Sequence, residues 1–477
     1  YLFSAEQLDN YLVQPNNIFS MTNYKKSVSR RKFLDTITTA ALVVPFLGNS
    51  AVSLALPKKK LRHASIGVGG MGGHDLKHFG QHPDLEVVAI CDVDEQNLLK
   101  AAELFPGARK YKDWRDLLEK EHNNIDSVNV SVPDHNHFAI AYQAIQFGKH
   151  VYCQKPLCHD VAEVRKLTEA AVKAGVVTQL GTQHASGKGD RTAVQLIKDG
   201  IIGKIKHAYL CSNRPAAIER YRLPGPRPLK GSEVPSNLDW NLWIGTAPMR
   251  PYAPNIYHPA IWRAWQDFGT GWSGDIGCHI FDAVWKGLDL KAPTSVMARV
   301  QDSWQESSER NGDTWPQGDH ITWMFPGNEL TASDILPIEW FDGEFYPPWE
   351  VQALFHGKPY PAESAILIGT EGALLIPHKE MPVLLPENKY LDYQMPTLED
   401  RNHYHHFVDA CLGGDKTESY FAQSGPMTEA ILLGTVAIRM PDTVLKWDPV
   451  NMSFLNQPKA NKFLQREYRK GWGVAGF

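Results

Sequence analysis

The sequence predicts an α/β domain with a parallel sheet covered on both faces, followed by a largely antiparallel α+β domain. Three observations carry this. From residue 61 to about 180, short apolar runs alternate with stretches of helical period. Those runs are near-continuous, as strands buried on both faces require. After about residue 190 the rhythm changes, and strand patterns follow one another across long Pro-, Gly- and Trp-rich loops.

The elements follow in order. Residues 62–67 read as a strand and 72–81 as a helix, with Leu76 and Phe79 one turn apart. Residues 85–91 form an apolar strand, and 95–105 and 113–121 are helical. Strands at 125–132, 150–153 and 176–180 alternate with helices at 137–147 and 160–174. In the second half, strands are expected at 205–212, 295–300, 320–325, 330–335, 365–369 and 373–376. Helices at 402–412 and 426–439 should pack back on the body. The resulting division is a leader and linker at 1–60, a first domain at 61–185, a second at 186–440 and a tail at 441–477.

A net charge of -4 and the lack of a long basic stretch argue against nucleic-acid binding. The six cysteines show no CxxC pair and fit buried free thiols better than a disulfide set. Near the start, Ser29-Arg30-Arg31-Lys32-Phe33-Leu34 has the twin-arginine form. An apolar run, 40–47, and a small-residue site, Ser53-Leu54-Ala55, follow it. The expectation is export to the periplasm after folding, with Met21 as the start and cleavage after Ala55. An uncleaved leader would instead be an N-terminal anchor.

Four constellations carry chemistry. Gly67-Val68-Gly69-Gly70-Met71-Gly72 follows a strand and opens a helix, and Asp92 closes the next strand 20 residues beyond Gly72. Gly67 allows the tight turn, Gly69 lets backbone approach a pyrophosphate, and Gly72 permits close helix packing. Gly70 and Met71 complete the loop. Asp92 should accept ribose hydroxyls. Asp94 adds a second negative charge and no Lys or Arg follows before Lys100, which favours NAD over NADP. The second constellation, Pro133-Asp134-His135-Asn136-His137, stands at the carboxyl end of a strand, where ligands of open α/β sheets bind. The third, Gln154-Lys155-Pro156, follows another strand; Lys155 reads as a proton shuttle or as a solvated loop lysine. The fourth places Asp275 and His279 four apart, on one helix face, for acid/base work or for a structural hydrogen bond.

In this order the four features resemble the Gfo/Idh/MocA oxidoreductases, the glucose–fructose oxidoreductase and inositol dehydrogenase group, over about residues 61–440. The resemblance implies a Rossmann domain joined to an α+β substrate and oligomerisation domain, with the site in the cleft between them. It implies that Lys155 acts near the nicotinamide and that Pro133, Asp134 and His137 line the cofactor. Asp275 and His279 would contact and deprotonate a sugar hydroxyl, with Asp275 orienting the ring. Gln183 and His184, after the last strand of the first domain, become cofactor or substrate contacts, or else a buried, hydrogen-bonded pair. The family's usual Glu is Gln154 here, a neutral amide beside Lys155. A homo-oligomer is implied through the second sheet.

Eleven of the fourteen tryptophans fall between positions 240 and 349, which fits sugar stacking as well as core packing. Trp262 and Arg263, with Trp265 and Trp272 near them, are the substrate candidates. The His403, His405 and His406 cluster reads as a helix surface rather than a metal site, and no metal is expected because the cofactor supplies the electrophile. The reaction expected is hydride transfer from a ring or polyol CH–OH to tightly bound NAD(P). The alternatives are a redox-neutral, NAD-dependent glycosidase of the α-N-acetylgalactosaminidase kind and a non-enzymatic sugar-binding protein.

Overall fold

The computed structural model describes residues 60–214, 227–343 and 345–477. The twin-arginine segment and the small-residue site lie outside the described residues. Among those described, no helix is long and apolar enough to cross a membrane.

The first sheet has six parallel strands: β1 (Leu61–Ile66), β2 (Leu85–Cys91), β3 (Arg109–Tyr111), β4 (Ser127–Val130), β5 (His150–Cys153) and β6 (Thr178–Leu180). Their order is β3-β2-β1-β4-β5-β6. The order reverses between β1 and β4, so the crevice beyond their carboxyl ends is where a dinucleotide fits. Strand β3 was not expected. It is polar and largely exposed at the sheet edge, and has no apolar run to read.

Helices α1 (Gly70–Phe79), α2 (Glu95–Leu104), α3 (Trp114–Glu121), α4 (His137–Gln146) and α5 (Val161–Ala174) complete this domain. Their starts are written locally. Asp94 accepts from Gln96 N at 2.9 Å to cap α2, and Asp160 with Glu163 forms a capping box on α5. Arg466 reaches the same two carboxylates, at 2.9 Å and 3.0 Å. The segment drawn as a tail therefore closes on the first domain. It also supplies β14 (Leu445–Asp448) and β15 (Ser453–Phe454) to the second sheet.

Between lie α6 (Lys188–Lys198), α7 (Trp240–Ile244) and α8 (Gly271–Gly287), with α9 (His403–Cys411) and α10 (Phe421–Ile438) later. The second sheet also holds β7 (Ile205–Ser212), β8 (Ser295–Val300), β9 (Asp319–Pro326), β10 (Ile335–Asp342), β11 (Glu363–Gly369), β12 (Ala373–Pro377) and β13 (Val383–Leu385). The order is β13-β12-β11-β7-β10-β9-β8-β14-β15, antiparallel except where β7 meets β10. The strand expected at 330–335 is instead a turn. Asn328 Oδ1 accepts from Leu330 N at 2.9 Å and Thr331 Oγ1 accepts from Asn328 N at 2.8 Å. The strand proper starts at Ile335 and runs through Pro337, which interrupts its apolar pattern.

Helix α10 begins five residues before the expected 426, and Pro426 lies inside it. A tertiary bond sets that start: Phe421 N donates to Thr178 Oγ1 at 2.9 Å, at the edge of the first sheet. Almost every α10 residue is buried, as an all-round apolar helix must be. It packs on α5, α8, β8 and β9, and so holds the first domain against the second sheet.

Helix α9 closes the outer side of the first domain, placing Tyr404, Phe407 and Val408 on Leu76, Phe79 and Tyr152. His403 and His406 are buried here, correcting the surface reading of that cluster. Five tryptophans, Trp265, Trp304, Trp315, Trp323 and Trp340, are fully buried. Each indole N–H finds an acceptor, for example Ala430 O at 2.8 Å from Trp323. Most of the tryptophan excess is thus core. All six cysteines are free thiols.

Candidate functional site

A cleft of about 1310 Å³ opens at the carboxyl ends of the first sheet. Of the residues expected at the site, Gly67, Gly69, Gly70, Met71, Asp92, Pro133, Asp134, Gln154, Lys155 and Gln183 line it from the first domain. His184, near the end of that domain, lines it too, and Trp262, Arg263, Asp275 and His279 line it from beyond. Gly72 and His137 do not. Gly72 packs under the loop, where an added Cβ would overlap Gly67 O. His137 turns inward, its ring nitrogens 2.8 Å from Pro156 O and Val132 O, and ties the loop after β4 to the loop after β5. Its role is to hold the cleft floor, because a buried ring seeks backbone acceptors.

The glycine loop fits a dinucleotide by shape. Gly67 has φ +81°, and a Cβ there would overlap Ser131 O. A Cβ on Gly69 would strike Asn97. Helix α1 starts at Gly70 with no side-chain cap, so its first N–H groups face the cleft as an anion site. Asp92 behaves differently from the expectation. Its Oδ2 accepts from Val68 N and Gly69 N at 2.9 and 3.1 Å, and Oδ1 from Asp94 N at 2.9 Å. The carboxylate therefore shapes the loop while lining the cleft. Burial pushes its pKa up, against the loop N–H groups that lower it. Lys112, beyond β3, lines this end too, 3.6 Å from Glu95. Sequence distance from Asp92 hid it.

Gln154 faces a buried polar group. Its Nε2 donates to Asp75 Oδ2 at 2.8 Å, and the same carboxylate accepts from Ser131 Oγ at 2.7 Å and Tyr404 OH at 2.8 Å. A carboxylate thus stands behind position 154 although residue 154 is an amide. It comes from α1.

Lys155 Nζ donates to the Asp275 carboxylate and, at 2.8 Å, to Asp275 O. Arg263 Nε donates to the other carboxylate oxygen at 3.2 Å. The expected Asp275–His279 pairing is replaced by these contacts, and His279 Nδ1 is buried with no partner among the described residues. The two cations outcompete a neutral ring for the carboxylate. Burial, then Lys155 and two other imidazoles, push His279 well below the ordinary histidine range. Its ring is neutral at pH 7. Asp134 accepts from Thr270 Oγ1 at 3.0 Å, and burial together with Asp275 raises it to about 7.

Several lining residues escaped the sequence reading: Arg214, Trp243, His258, His378, Lys379 and Tyr404. None has a local motif. His258 pairs with Asp94 at 3.3 Å, and Trp243 is set by His135, which donates to its carbonyl at 3.1 Å. Trp262 carries the Arg263 guanidinium over its ring at 4.2 Å. Trp272 serves packing, donating to Ser212 O at 3.1 Å. Among the described residues no cluster of His, Cys, Asp and Glu is arranged to hold a metal.

Comparison with known proteins agrees with this geometry. The Gfo/Idh/MocA family model described as an oxidoreductase family NAD-binding Rossmann fold matches residues 61–182. The companion model for the family's C-terminal alpha/beta domain matches residues 191–315, and the two together span more than half of the chain. A glycosyl hydrolase family 109 protein of Shewanella pealeana is 27% identical over 173 residues, 34% of this chain and 38% of that one. A myo-inositol 2-dehydrogenase of Thermotoga maritima is 28% identical over 156 residues, 33% of this chain and 46% of that one. The matched segment thus spans less than half the length of either relative. The fold is similar to the crystal structure of an inositol dehydrogenase homologue from Azotobacter vinelandii, complexed with NADH and myo-inositol. The TM-score is 0.53 at 16% identity, covering 82% of this chain and 98% of that one.

Proposed function

The chain belongs to the Gfo/Idh/MocA oxidoreductase family and carries its NAD-binding Rossmann domain, and from that premise we propose that it oxidises a CH–OH group of a sugar or polyol. One observation carries the proposal. Lys155, Asp275 and His279 come from the two domains and line one cleft with the glycine loop, Lys155 paired to Asp275. When bound, the nicotinamide accepts hydride from the alcohol carbon. The protein supplies positioning and the proton path. Lys155 spends two of its three donors on Asp275, which leaves one N–H for a sugar oxygen. His279, whose neutral ring lines the cleft, takes the hydroxyl proton. Asp275 and Arg263 fix the lysine, and Trp262 offers a ring face to the sugar.

A second reading has its own support in the glycosyl hydrolase family 109 relative. There the bound nicotinamide would end each cycle as it began, and the same side chains would serve a net hydrolysis. One experiment separates the readings. Acid release of nucleotide from purified protein gives NAD(H) per chain; incubation with inositol, free aldoses and nitrophenyl glycosides then follows NADH and nitrophenol together. NADH from a free sugar supports the dehydrogenase. Nitrophenol without net NADH supports the glycosidase. Bound nucleotide with neither product returns the chain to the class of binding proteins.

We further propose export by the twin-arginine route, because that route accepts chains already folded around a cofactor. Arg30→Lys with Arg31→Lys should hold the protein in the cytoplasm, and unchanged export would end the idea. Self-association through the second sheet is checked by light scattering.

A further inference from the structure

Away from the glycine loop, the cleft is walled by His184, His279 and His378. The ring centroid of His378 lies 4.8 Å from that of His184 and 5.3 Å from that of His279. None of the three is ion-paired to a carboxylate among the described residues, and His279 Nδ1 is buried without a partner. Cations surround them. Lys155 and Arg263 share Asp275, Arg214 has Glu363 at 3.6 Å, and Lys379 has no carboxylate partner among the described residues. Lys379 is also held at φ +75°, a conformation L residues avoid. The nearby acid Asp134 is raised to about 7 and carries only part of a charge at neutral pH.

This wall holds donors and positive charge in excess of acceptors. The field is felt by the rings themselves. Burial first, then His184, Lys379, Arg214 and Lys155, lower His378 to about 3. Such surroundings repel a metal cation and attract an anion. Asp275 answers Lys155 and Arg263, and Glu363 answers Arg214, which leaves Lys379, exposed at this wall, as the cation a ligand can claim. A carboxylate or phosphate would accept hydrogen bonds from the lysine, the guanidinium and a ring N–H, and those charge-assisted bonds are the strong ones.

We propose that the substrate is a sugar bearing an anionic group, a carboxylate or a phosphate ester, received by Lys379, Arg214 and His378 while the reacting CH–OH faces Lys155 and His279. This rests on the oxidoreductase reading of the same cleft. Lys379 and Arg214 are specificity-determining residues in it, and the arriving negative charge makes His279 a stronger base at the moment of reaction.

The test compares matched sugars on the NAD-loaded full chain: D-glucose, D-glucuronate, D-galactose, D-galacturonate and glucose 6-phosphate. At least one anionic sugar should show a kcat/KM tenfold or more above its neutral parent, and added salt should erode that ratio. Uronates and the phosphate ester separate the two anion sources. Lys379→Met should cut the ratio about tenfold, Lys379→Glu should cut it further, and Lys379→Arg should keep it. Arg214→Gln is a second variant should Lys379 substitutions lower solubility. Equal or better turnover of neutral parents overturns the proposal, as does a ratio unmoved in both Lys379→Met and Arg214→Gln. If no sugar of either kind reduces the cofactor, the oxidoreductase reading has failed. Calorimetry with D-glucuronate and D-glucose then decides the anion site alone: tighter binding of the acid keeps it, and equal binding ends it.

Discussion

On the glycine-loop wall of the cleft, polar groups satisfy one another, while on the facing wall His184, His279, His378 and Lys379 have no carboxylate partner among the described residues. Asp92 holds the glycine-loop N–H groups, and Asp75 accepts from Gln154, Ser131 and Tyr404. Across the cleft, three imidazoles face each other with His279 Nδ1 unpartnered, and Lys379 has no counter-charge among the described residues. Lys379 is exposed and His184, His279 and His378 are part-buried, so this wall stands open to solvent and to a ligand alike. The difference teaches where each kind of selectivity sits. A cofactor common to many enzymes meets a pre-built surface of backbone and glycine. On the proposed function, a particular substrate would meet three imidazoles and a lysine that have no carboxylate partner among the described residues.

The comparison can be broken at several points. The largest effect is expected from Lys155→Ala, which removes the donor proposed for the sugar oxygen and leaves Asp275 to Arg263. Turnover should fall by about 10²- to 10⁴-fold while bound NAD and Tm hold; single-turnover NADH formation reads it. Unchanged turnover would place the chemistry elsewhere. Gly72→Ala attacks the other wall. The new Cβ must displace Gly67 O, backbone against backbone, so NAD retained per chain after purification should drop by about tenfold, which is about 1.4 kcal/mol. Full retention would show that the loop yields, contrary to its packing.

Tyr404→Phe probes how far the satisfied network matters. Asp75 loses one of three donors while remaining fully buried, and stability should fall by about 1–3 kcal/mol. Denaturant titration measures this, and a midpoint unchanged from the parent would mean that water replaces the hydroxyl. The smallest effect concerns pH. Asp190, buried on α6 beside Asp282 and Lys286, is raised to about 8 by burial and then by Asp282. A carboxyl whose folded pKa lies above its unfolded one stabilises fully below about 4 and loses that contribution as pH rises through about 8. Asp190→Asn keeps the neutral form, so parent stability should decline between pH 5 and about 8 more steeply than the variant's. Parallel curves would refute the assignment.

What could be read from the chain alone was local. β2, β5, β7 and β8 appeared at their observed bounds, because their apolar runs and flanking turns lie within a few residues. The glycine loop, Lys155 and the Asp275–His279 helix were legible because each occupies one short motif beside a strand or on one helix face. Their partners were not. That Asp275 serves Lys155 rather than His279, that Asp75 supplies the carboxylate behind Gln154, and that His378 and Lys379 join the cleft are all decided by contacts between distant segments. β10 and the start of α10 were misplaced for the same reason, since Pro337 hides one strand and Thr178 begins the other element. Sequence period and backbone chemistry determine elements and motifs, because those forces act within a turn or two of the chain. Which side chains share a charge, and which are left without a partner, is decided only when packing brings remote residues into one low-dielectric cleft.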